Sequence, residues 1–334
     1  MHYDDAARDK TATCLSHASA GRSLGRLTDA ISWVAGCQGT TPPHSLDDVR
    51  VAAFIGKHGC ADSCFEGTPP TLVAEADIRH AVADLEAPAA HGPIAVAAQA
   101  AGVPVRVIDK WSEEASGSID HEDAMDQATY EAAWDAGAHA ADADIDAGAD
   151  ALIPLNIAAA QSTVAAVLMG AISQTEPVAI VGPGSGINDA VWKAKVSIIR
   201  DALYRVRRVQ AHRSPADLLR VAGSPDLVAT TAYIAHAAER RTPVLLDGVA
   251  TLAAAALAER IAPGARQWFL NTTSSAEPAH RVASRELQLE PLLDLEIRPP
   301  FSLGALLALP LLNTAFEAAA TIVNDDRLEG EMTD

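Results

Sequence analysis

The chain has 334 residues, 49% hydrophobic but only 4% aromatic, with 25 basic and 44 acidic side chains and a net charge of −19. That size suits one large α/β domain with an appended lobe and a core of Ala, Leu, Val and Ile. So acidic a balance, with no basic patch carrying interleaved aromatics, argues against nucleic acid and anionic lipid as partners.

In chain order, the opening "MHYDDAARDK" lacks the basic-then-apolar order of a secretory signal, and no apolar segment reaches membrane-spanning length uninterrupted. The expectation is a cytoplasmic protein with no membrane association. Residues before about 45 read as helix. Short apolar runs then alternate with helical patterns. The strands expected are Val51 to Gly56, Val103 to Asp109, Ala151 to Leu155, Val178 to Val181, Pro243 to Gly248 and Gln267 to Asn271. The Ala-rich stretch from Asp123 to Gly148 reads as a helix with a solvated acidic side. After about 290 the chain reads as helix without strands, ending in a charged tail. The pattern predicts a parallel sheet flanked by helices, Rossmann-like, with ligands at the carboxyl ends of its strands. The α/β core spans 46–289, and 1–45 pack with 290–334 as a small helical lobe. His58, Cys60 and Cys64 in "KHGCADSC" match no common zinc signature, and four cysteines in so long a chain do not make a disulfide scaffold. No metal and no cofactor is expected.

The stretch "AIVGPGSGINDAVWKAK", Ala179 to Lys195, carries the most chemistry. Gly182, Gly184 and Gly186 let the backbone turn tightly beside a ligand, and Asn188 or Asp189 can cap the helix that follows. Trp192, Val196, Ile199, Leu203 and Val206 give that helix an apolar stripe. A glycine loop entering a helix aims free N–H groups and the positive helix end at an anion. Lys195, one of only five lysines in the chain, supplies a point charge. The spacing is neither the dinucleotide fingerprint nor a P-loop, and a plain tight turn is the alternative.

Taken together, "SLGRLTDAISWVAGCQ", His58-Gly59 with "TPP" downstream, "DAGADALI", "EPVAIVGPGSGINDAVWKAK", "RRTPVLLDGVA", "SSAEPAH" and "GALLALP" resemble, in order and spacing, the nicotinate-nucleotide:dimethylbenzimidazole phosphoribosyltransferase (CobT) family of cobamide lower-ligand assembly. The resemblance runs from about Gly21 to Ala320. It implies a parallel-sheet core, a small helical lobe and commonly a homodimer. It also implies transfer of ribose phosphate from nicotinate mononucleotide to an azole nitrogen of a benzimidazole, with a carboxylate taking the azole proton. By that resemblance Gly182, Gly184, Ser185, Gly186 and Lys195 face phosphate, Asp247 meets a ribose hydroxyl or caps a helix, and Ser275 and Glu277 fit the family's S-x-E segment. Thr273 stands where the family usually has histidine.

Several positions depart from the family pattern. The base glutamate of R-x-G-E-G-S/T-G-A falls at Phe301, between Pro300 and Ser302. The second phosphate loop, glycine-rich in the family, reads "LNIAAAQST" from Leu155 to Thr163, with Asn156 for its acid and Leu155, Ala158 and Ala160 for its glycines. Lys57 replaces an aspartate, Glu75 falls at a ring-binding glutamine, and Ser19 and Ala20 replace an early lysine and proline. The expectation is a homologue without family turnover, acting as a binding, regulatory or partner subunit, homodimeric or paired with a related subunit, with a nucleotide or an aromatic base as its ligand. The alternative is an active transferase with another azole or phenolic acceptor and a relocated base, Glu75 or Glu66.

Overall fold

The computed structural model describes residues 3–61, 75–87, 91–184, 186–209, 214–298 and 302–324. At its centre β1 (Val49–Gly56), β2 (Val105–Trp111), β3 (Ala151–Ala158), β4 (Val244–Leu246) and β5 (Phe269–Asn271) form one sheet in the order β2-β1-β3-β4-β5. All its neighbours are parallel, with Phe54 opposite Asn156 and Leu152 opposite Val244. Every residue of β3 is buried, as a strand covered on both faces requires. Along β1, Ala52 and Phe54 enter one apolar cluster, while Val51, Ala53 and Ile55 enter the other. This is the two-residue alternation of a strand.

One face is covered by α6 (Gln127–Asp146), α7 (Gln161–Ser173), α9 (Asp189–Val209), α10 (Pro215–Ala222), α11 (Pro225–Glu239), α12 (Val249–Ile261) and α13 (Pro278–Leu287). On the other lie α1 (Asp5–His17), α3 (Leu27–Gln38), α4 (Glu75–Glu86), α5 (Gly92–Ala101) and α14 (Gly304–Val323). Short helices α2 (Ser19–Arg22) and α8 (Pro177–Ile180) and a 3-10 turn at Ala265–Trp268 complete the helical set among the described residues. Small residues let helices approach closely. A Cβ on Gly137 of α6 would overlap the backbone of Ala229 in α11, so the pair tolerates only hydrogen there.

Four expectations change. Val178 to Val181 is not a strand: Pro177–Ile180 is one helical turn, closed by Val181 N–H to Pro177 C=O at 3.1 Å. Proline at a first helical position favours that turn, and Val178 is exposed rather than in the sheet. The region after 290 does contain a strand, β7 (Leu293–Ile297), parallel to β6 (Thr273–Ser275). The acidic side of α6 is partly clasped rather than solvated: Arg240 reaches Asp142 and Asp146 at 2.8 and 2.7 Å, and Asp144 accepts from Arg106 at 2.6 Å and Tyr233 at 2.8 Å. Finally, α14 is long and apolar enough to cross a membrane, with mean hydropathy 1.6. Its Leu306, Leu309, Leu312 and Phe316 are buried in the core cluster shared with β1 and β3.

Candidate functional site

The strand order reverses between β1 and β3, and a doubly wound sheet opens its ligand crevice at such a point, beyond the carboxyl ends of the strands. Three buried polar clusters lie along that edge.

The first is built on the glycine loop. Lys195, in the second turn of α9, is 4% exposed. Its ammonium donates to Ser162 Oγ at 2.9 Å and Gly182 C=O at 3.0 Å, and lies 3.7 Å from Glu277 Oε2. Gly184 N–H donates to Glu277 Oε1 at 2.6 Å. A Cβ on Gly182 would overlap the same carboxylate, so glycine there admits Glu277 to the loop. Gly184 and Gly186 take φ of 56° and 105°, the left-handed region glycine enters without strain. Gly186 and Ile187 N–H turn back to Pro183 C=O. Asn188 accepts from the N–H groups of Ala190 and Val191, both at 3.0 Å, and so caps α9. The lysine, the loop and Glu277 thus meet, with loop amides and helix end already engaged by the chain's own groups. Ser162 belongs to the "LNIAAAQST" segment, so the two loops assigned to phosphate by resemblance do converge. In that segment Ala160 adopts φ 59° ahead of α7, a conformation that costs alanine about 1–2 kcal/mol.

The second cluster surrounds Asp247, just past β4. Its Oδ2 accepts from Gly304 N–H, the first residue of α14, at 2.7 Å, and its Oδ1 accepts a very short hydrogen bond from the Thr273 hydroxyl. A Cβ on Gly304 would overlap the Thr273 side chain. Burial raises the Asp247 carboxyl above its usual range, partly offset by Thr273 and by backbone N–H groups. Of the two roles weighed for Asp247, the geometry describes the helix cap. His280, in the first turn of α13, is buried; desolvation holds its imidazole down at about 4, opposed by a hydrogen bond to the Thr273 backbone. Ser275 is buried and accepts a long bond from Glu277 N–H at 3.4 Å.

The third cluster is one that sequence reasoning misses. Asp226, fully buried at the start of α11, lies 3.2 Å from His58 Nε2 through each oxygen and accepts from Asn156 Nδ2 at 2.8 Å. Burial raises this carboxyl, but the charge and hydrogen bond of His58, with Asn156 and Ser224, outweigh it and hold the group below the usual range. Gly56 is the close approach that makes room: a Cβ there would overlap the Asp226 carboxylate. His58 Nδ1 and Asn156 Oδ1 are buried without partners among the described residues. The signal available in sequence is one acid among apolar residues in "VAGSPDLVATTAY".

Ser185, Phe301, Glu66 and Cys64 lie outside the described residues, and so does the side chain of Glu75, although its backbone begins α4. Among the described residues no group of three or more His, Cys, Asp or Glu is arranged to hold a metal ion.

Comparison with known proteins bears on the whole chain. The family model described as phosphoribosyltransferase (DBI_PRT) matches residues 2–326. A nicotinate-nucleotide–dimethylbenzimidazole phosphoribosyltransferase from Mycobacterium marinum is 43% identical over 314 residues, 90% of this chain and 85% of that protein. Its counterpart from Corynebacterium glutamicum is 42% identical over 305 residues, 88% of this chain and 83% of the relative. Among solved structures, CobT from Thermus thermophilus superposes with a TM-score of 0.83 at 27% identity, covering 94% of this chain and 96% of that one.

Proposed function

Because the chain belongs to the phosphoribosyltransferase family that contains the nicotinate-nucleotide–dimethylbenzimidazole enzymes, we propose that it keeps their framework but acts as a non-transferring homologue, a binding or regulatory partner subunit. The observation that carries this reading is the set of departures from the family pattern, with the family's base glutamate falling at Phe301. Phe301 stands where the family base is expected and accepts no proton, and loss of a general base alone costs about two to four orders of magnitude in rate. Side chains at Leu155, Ala158 and Ala160 fill space that the family leaves to backbone.

On this reading the protein is cytoplasmic and forms a homodimer or pairs with a related, active subunit, which supplies the transfer chemistry. The ligand class is a nucleotide or a flat aromatic base held without turnover.

The test is direct. Purified protein is incubated with nicotinate mononucleotide and dimethylbenzimidazole, and α-ribazole phosphate is followed by chromatography. The expected rate lies at least about a hundredfold below ordinary enzyme turnover of about 1–1,000 per second. Turnover within that ordinary range overturns the reading.

A further inference from the structure

We draw no further inference here: the strongest candidate, the buried cluster of His58, Asn156 and Asp226 at the carboxyl ends of β1 and β3, belongs to the site already described, and nothing in the structure shows what would reach His58 Nδ1 and Asn156 Oδ1, its two atoms without partners among the described residues.

Discussion

Single carboxylates decide the character of the strand edge. Glu277 is 1% exposed, and its Oε2 has no hydrogen-bond donor among the described residues, only the lysine 3.7 Å away. Replacing it with glutamine removes a negative charge from the loop while keeping the side-chain shape. Inorganic phosphate and nicotinate mononucleotide should then bind about tenfold or more tightly, as removal of a like charge a few ångströms away implies; calorimetry of Glu277→Gln measures this. His280 makes a prediction of its own. Its folded value of about 4 lies below the ordinary 6.5, so the unfolded chain binds the proton first as pH falls. The stabilising contribution is therefore whole above about 6.5 and is lost down to about 4, amounting to ~3 kcal/mol at most. Thermal unfolding of His280→Gln against pH should show a flatter profile through that window than the parent protein. The loop glycines, Lys195, Asp247 and Glu277 are legible in the sequence because each sits in a motif with a recognisable order. Asp226 is not, because its partners His58 and Asn156 are 168 and 70 residues away along the chain and only the folded sheet juxtaposes them.

Elements are legible where periodicity and length agree. The apolar runs beginning at Val51, Ala151 and Pro243 overlap β1, β3 and β4, and Asn188 caps its helix through the side-chain hydrogen bonds that its place after the glycine loop suggests. The run Val178 to Val181 misleads because four apolar residues fit a strand or a helical turn equally, and Pro177 settles the matter through φ rather than through hydrophobicity. Leu293–Ile297 escapes notice because three of its five residues are exposed, so the apolar signal of a buried strand is absent. Helix ends offer a test at the same scale. Gln174 terminates α7 with φ 57° and is exposed. Gln174→Gly should stabilise the protein by about 0.5–1 kcal/mol by removing left-handed strain without losing a contact, and urea midpoints would register the gain.

At the scale of the molecule, composition indicates an aliphatic core, and the two buried clusters on either face of the sheet are made chiefly of Ala, Leu, Val and Ile. The appended lobe is read from where strands stop. Yet α14 packs against α1, α3 and α5 and places Leu306, Leu309 and Phe316 in the cluster that also holds Ile153 and Leu155. The chain's two end regions therefore share a core with the sheet, which a linear pattern of elements cannot reveal. The charge of −19 has its own consequence. Self-repulsion among surface acids should be relieved by salt, so raising ionic strength from about 0.01 M to about 0.15 M is expected to raise the melting temperature by about 1–3 °C; scanning calorimetry follows it.

In α11 every residue except His236 and Glu239 is buried, and Gly137 brings α6 against its backbone. A segment enclosed on all sides has no local fraying by which its amides can meet solvent. In deuterated buffer its interior protons should be the last to leave, at a rate set by the opening of the entire domain. That makes α11 a resident clock for global unfolding, against which the effect of a bound ligand can be timed.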